Sequence, residues 1–79
     1  MDVVTVSLAQ IKALPPDSPE RREAVRTYLR EYPSLRINAS RRADTDPSEI
    51  SRVLHGHRES EEIEKAIEAE EKASRKERR

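Results

Sequence analysis

The chain is 79 residues long, with 16 basic and 16 acidic residues, a formal net charge of zero, 41% charged and 33% hydrophobic residues, and no Phe or Trp. That length fits one domain whose small core calls on every apolar side chain it has, and the zero balance excludes a globally basic nucleic-acid binder: any polyanion-binding surface would have to come from local charge segregation. The lack of cysteine excludes disulfides and thiolate metal sites, and no apolar run reaches the length of a membrane span or a signal peptide; a cytoplasmic protein without a membrane partner is the expectation.

Residues 2–6 (DVVTV) are β-branched and predict a short strand or extended arm. That arm either covers its own core or pairs with a second copy. Ser7 followed by Gln10 reads as a capping box opening a helix over 8–14, with Leu8, Ile11 and Leu14 on one face. Pro15-Pro16 ends it, because proline has no N–H and restricts the residue before it. Ser18 then caps a second helix, over 18–32, with Pro19 at its first position and Glu20 at the positive end of its dipole. Its inward stripe is Val25, Tyr28, Leu29 and Tyr32.

Ser34 is read as the cap of a third helix over 35–43, and Asp44-Thr45-Asp46 as a turn. Asp46, Pro47 and Glu49 then combine a cap, an N1 proline and an N3 acid, the sharpest helix start in the chain. The fourth helix runs to His55, and Gly56 supplies a left-handed stop. Ser60 caps a last helix over 60–69, with Ile63, Ala66, Ile67 and Ala69 inward. Glu61 to Glu71 hold six acids against Lys65, and Lys72 to Arg79 five bases against Glu77. Pairs such as Glu61–Lys65 and Glu68–Lys72 support a solvated helix. Residues 70–79 read as a basic tail, a frayed helix or disordered chain, and the competing reading has that tail track a DNA backbone. The expected fold class is all-α: a small bundle of four to five short helices in a single domain over 1–69.

The segment 34–56, SLRINASRRADTDPSEISRVLHG, has the pattern of a helix-turn-helix. Ala39 and Ala43 on its first helix face Ile50, Val53 and Leu54 on its second, and small residues there let the second helix approach closely and project outward. With those three inward, Ser48, Glu49, Ser51, Arg52 and His55 point out as base-reading candidates. Arg52 leads them, since its planar fork bonds both acceptors of a guanine edge. Ser48 and Ser51 donate, and Glu49 either accepts from cytosine or serves the helix start. His57 and Arg58 beyond the helix, and Arg36, Arg41 and Arg42 on the supporting helix, are candidates for backbone phosphates. His55 and His57, with no third ligand at fixed spacing, fall short of a metal signature. Nothing in the order of Ser, His and Asp sets up a triad, and a single glycine leaves no phosphate-cradling loop. The chain therefore reads as a non-enzyme that needs no cofactor.

The run DPSEISRVLHGHR, followed by IEKAI, resembles the Cro-like (XRE-type) phage-repressor helix-turn-helix family, and SRVLHG is similar to lac-repressor-type recognition helices. Two positions depart from the pattern: Asp44 stands at the turn position usually held by glycine, and Ser40 at a small-residue position usually held by alanine. The resemblance implies DNA contacts from Ser48, Ser51, Arg52 and His55, and a homodimer on a palindrome with half-sites about 34 Å apart. The expected function is a double-stranded-DNA-binding transcriptional regulator, a small repressor of phage or mobile-element type. The alternative is a protein-interaction module that binds a host protein such as RNA polymerase or a toxin.

Overall fold

The computed structural model describes residues 6–77, with side chains to residue 74. All but one residue of the arm expected over 2–6 lie outside that range. Five helices follow in order: α1 (Leu8–Lys12), α2 (Pro19–Glu31), α3 (Leu35–Arg42), α4 (Pro47–His55) and α5 (Glu61–Glu77). Among the described residues there is no strand, and they form an all-α bundle of five helices. No described helix is long and apolar enough to cross a membrane.

The local signals set the helix starts. Ser7 and Gln10 form a reciprocal capping box on α1, and Ser18 Oγ accepts from the Arg21 N–H at 3.1 Å with Pro19 at N1 of α2. Ser34 does not act as expected. It occupies the N-cap position of α3 in a helical conformation and makes no side-chain cap. The chain arrives there already turning, since the Leu35 N–H bonds the Tyr32 carbonyl at 3.0 Å. α1 stops at Lys12 with Ala13 as its C-cap, before the expected end, because Pro15 disfavours a helical conformation at Leu14. Leu14 is left only half-buried.

The core is a single cluster. Leu8 and Ile11 of α1 meet Val25, Tyr28 and Tyr32 from α2 and its C-cap, Leu35 and Ala39 of α3, Ile50, Val53 and Leu54 of α4, and Ile63, Ala66 and Ile67 of α5. Tyr28 and Tyr32 pack edge to face with centroids 5.1 Å apart, the arrangement that ring quadrupoles favour. With no Phe or Trp in the chain, these two rings supply the bulk that fills the centre.

α5 lies along α3 and also meets α4. It stays helical to Glu77, beyond the end of its apolar stripe. Buried Glu71 belongs to the reason: its Oε1 accepts from the Leu8 N–H at 3.0 Å and from the Tyr28 hydroxyl at 2.8 Å. One carboxylate so satisfies an orphan amide of the first turn of α1 and a core phenol together. The ion pairs of α5 run across the bundle, Glu64 to Lys12 and Glu70 to Arg42, where pairs along the helix were expected.

Candidate nucleic-acid interface

α3 and α4 are joined by a turn whose geometry follows from two residues. Asp44 takes the left-handed conformation, φ 54°. Around it the Thr45 N–H reaches the Ser40 carbonyl at 2.8 Å and the Asp44 N–H reaches that of Arg41 at 3.2 Å, the paired bonds that close a helix on a left-handed residue. An aspartate in place of glycine carries a steric cost that its short polar side chain moderates. Ser40 is buried, and its hydroxyl donates to the Ile37 carbonyl at 2.7 Å, so a hydroxyl in the place of alanine's methyl is satisfied one turn back.

α4 is fixed at both ends. At its start Asp46 Oδ1 accepts from the Ser48 N–H at 3.1 Å and from the Ser48 hydroxyl at 3.2 Å, with Pro47 at N1. At its end Gly56 stands at φ 85°, the His57 N–H bonds the Arg52 carbonyl at 2.9 Å and the Gly56 N–H that of Val53 at 3.1 Å. A Cβ on Gly56 would lie 2.7 Å from Pro16 Cβ, so this position needs glycine both for its backbone conformation and for the close approach of the α1–α2 loop. Between the ends, Ile50, Val53 and Leu54 are buried in the core cluster with Ala39.

Arg21 completes the anchorage. It is 6% exposed, and its guanidinium donates from Nε to the Leu54 carbonyl at 2.7 Å, from Nη1 to that of Leu14 at 3.1 Å and from Nη2 to that of Val53 at 3.4 Å. A cation thus sits on the last carbonyls of α4, where the helix dipole is negative. Burial pulls its pKa below the ordinary arginine value, and Glu64 opposes that shift.

The outward face of α4 carries the residues singled out from sequence. Ser48 and Arg52 are exposed, and Ser51 and His55 are half-buried. Glu49 is half-buried as well, its side chain 16% exposed. Its Oε2 accepts from Arg52 Nη1 at 3.2 Å and its Oε1 from Arg58. Each oxygen therefore already accepts from one arginine, and a cytosine amino group would have to share an oxygen with it. On the other flank Arg36 Nη1 approaches Ser51 Oγ at 3.5 Å. Ser48, Glu49, Ser51, Arg52, Arg36 and Arg58 thus share one surface. Glu49 holds two cations on one side of it.

The remaining phosphate candidates are placed elsewhere. Arg42 turns toward α5, giving Nε and Nη2 to Glu70 Oε2 at 3.0 and 2.7 Å. Arg41 is exposed on α3. His57 Nε2 lies 3.0 Å from Asp17 Oδ1 in the α1–α2 loop, and its ring stacks on His55 with centroids 5.9 Å apart. Asp17 also accepts from Arg22 at 3.2 Å, and the hydrogen bonds from His57 and then Arg22 hold its carboxyl below the usual carboxylate range. His55 titrates below an ordinary histidine, first through burial and then through the positive charges of His57, Arg22 and Arg21, with Asp17 opposing. Among the described residues no group of three His, Cys, Asp or Glu is placed to hold a metal ion.

Sequence reasoning did not find Arg21, Glu71, or the Asp17–Arg22 contact beside the histidines. A signal for the first two exists. Arg21 precedes Val25 and Tyr28 on the buried stripe of α2, and Glu71 follows Ile67 by one turn, so each charge occupies a core register. Set against protein-family models, curated proteins and solved structures, the chain matches none of them.

Proposed function

We propose that the chain is a sequence-specific, double-stranded-DNA-binding transcriptional regulator, a small repressor of phage or mobile-element type, that reads the major groove with α4 and acts as a homodimer. Ser48, Ser51 and Arg52 address base edges, and Arg36 and Arg58 flank them at the phosphates. Repression follows from occupying a promoter. One observation carries this reading: α4 is pinned at both ends and buried on one side, while its other side leaves Ser48 and Arg52 exposed between Arg36 and Arg58. A helix held that rigidly delivers side chains to a groove with little orientational freedom left to lose. The sequence resemblance to Cro-like proteins supports the same assignment.

The test is fluorescence anisotropy with a labelled mixed-sequence duplex over a salt series. Each phosphate contact contributes about 0.9 to the slope of log K against log salt, so steep weakening with salt is expected. A chain that ignores duplex DNA at low salt is not a DNA reader.

One observation favours a protein partner instead. Ile37 on α3 is 47% exposed, an apolar side chain beside Arg36 and Arg41 that a protein surface such as that of RNA polymerase would cover. On that reading the chain ignores duplex DNA at low salt, and Ile37→Ser weakens its binding to RNA polymerase.

A further inference from the structure

α2 has a charged face that reading by α4 does not use. Arg22, Arg26 and Arg30 recur every fourth residue and are all exposed. On a helix of 3.6 residues per turn they form a ridge that drifts by only about 40° at each step. Glu20 and Glu31 lie about 120–140° round the helix from Arg26, and Glu23, about 60° away, is the one acid of α2 that borders the ridge. Arg22 is partly engaged by Asp17 at 3.2 Å. Among the described residues Arg26 and Arg30 make no ion pair. A helix surface stabilised by its own charges would pair them with Glu23 or Glu31, and it does not.

The ridge begins where α4 ends. Asp17 is bonded both by Arg22 and by His57, which places the first arginine of the ridge beside the stacked histidines and one residue short of Arg58. Arg21 on the last carbonyls of α4 and Arg22 on Asp17 set two permanent cations against one carboxylate at that corner. From Arg22 to Arg30 the helix rises about 12 Å, the axial span of about three to four phosphates on one DNA strand at about 3.4 Å each. All four cations of α2 are arginines, whose planar fork suits bidentate contact with phosphate.

We propose that the Arg22–Arg26–Arg30 ridge of α2 is a second polyanion-binding surface, continuous with the C-terminal end of α4, that takes the sugar-phosphate backbone of the duplex α4 reads. It rests on the DNA-binding reading and extends the footprint beyond α3 and α4. It adds affinity without sequence information, because phosphates are the same at every base pair.

The experiment measures binding to a mixed-sequence duplex of about two helical turns, about 20 base pairs, from about 50 to about 200 mM salt. Three proteins are compared: the natural chain, Arg26→Gln/Arg30→Gln, and Lys12→Gln/Lys65→Gln. The last pair removes the same charge from exposed positions on α1 and α5, outside the basic tail. Loss of two phosphate contacts makes the slope shallower by about 1.8, so across that fourfold range the arginine variant loses about tenfold less affinity than the natural chain. The lysine variant keeps the natural slope. If the arginine variant keeps the natural slope, or both variants become shallower to the same extent, there is no ridge. If the natural chain does not bind the duplex at all, the DNA-binding reading itself fails and takes the ridge with it. Circular dichroism of the arginine variant should match the natural chain, since both side chains are exposed.

Discussion

Replacing Arg21 by Met tests what holds α4 in place. Methionine keeps most of the side-chain volume in the core and removes all of the donors. Three carbonyls receive the guanidinium, but they do not count equally. The bond to Val53 is long at 3.4 Å, and that carbonyl also accepts from the Gly56 N–H at 3.1 Å, so its loss costs little. The bonds to Leu54 at 2.7 Å and Leu14 at 3.1 Å matter more. A hydrogen bond from a charged donor contributes about 1.5–3 kcal/mol, and a buried carbonyl left without a partner costs about 1–3 kcal/mol. Removing a buried cation returns part of this, but only a part, because guanidinium is weakly hydrated to begin with. Loss of the charge at the negative end of α4 adds about 0.3–1 kcal/mol. The expected cost is about 2–4 kcal/mol overall. A domain of this size has about 0.05–0.15 kcal/mol of stability per residue, so that cost is a large share. Its melting temperature falls by about 4–8 °C per kcal/mol. Thermal and urea unfolding followed by far-ultraviolet circular dichroism measure the change. Arg21→Lys, with a compact donor in place of the fork, falls between the two. An Arg21→Met protein within about 0.5 kcal/mol of the natural one, the range of ordinary surface substitutions, refutes the anchoring role.

Three further outcomes follow from the same geometry. Asp46→Ala loses the cap on Ser48 and about 1 kcal/mol of stability; an unchanged urea midpoint means that Asp46 does not set the start of α4. Gly56→Ala meets a left-handed penalty of about 1–2 kcal/mol together with the contact to Pro16, so its unfolding free energy falls by more than the backbone penalty alone, and a smaller loss contradicts the tight approach of the α1–α2 loop. His55, whose pKa is lowered in the folded state, binds fewer protons there than in the unfolded chain. Its contribution to stability therefore rises with pH between that lowered value and the unfolded value of about 6.5, and is lost as pH falls through the same window. Nuclear magnetic resonance should place its midpoint below about 6.5, higher in His57→Ala and lower in Asp17→Asn; a midpoint indifferent to both variants contradicts the electrostatic account of this corner.

The helices were legible wherever a local rule acts alone. Ser7 with Gln10, Ser18 with Pro19, and Asp46 with Pro47 each fix a start through bonds between residues at most three apart, and the structure places α1, α2 and α4 there. Gly56 was readable as a stop for the same reason, and Ile50, Val53 and Leu54 as inward from their spacing. Ser34 was misread because a cap depends on backbone angles as well as residue type, and the Tyr32–Leu35 bond had already turned the chain. Arg21 and Glu71 were passed over because a charged residue in a core register reads as a break in the stripe. Only the fold reveals that carbonyls and amides distant in sequence await each of them. The pairing of Glu49 with both Arg52 and Arg58 was hidden in a similar way. Arg52 is one turn away and was within reach of inspection, but Arg58 returns only because Gly56 reverses the chain.

The account turns on Arg52 reading a base from the exposed side of α4. Selection of binding sites from random duplexes, run in parallel with the natural protein and Arg52→Ala, tests it most directly. The account predicts that the natural protein enriches a palindromic site. Arg52→Ala should lose preference at one base pair in each half-site and bind the selected site about 1–3 kcal/mol more weakly. Identical enriched sequences from the two proteins, or no enrichment by the natural chain, would contradict it.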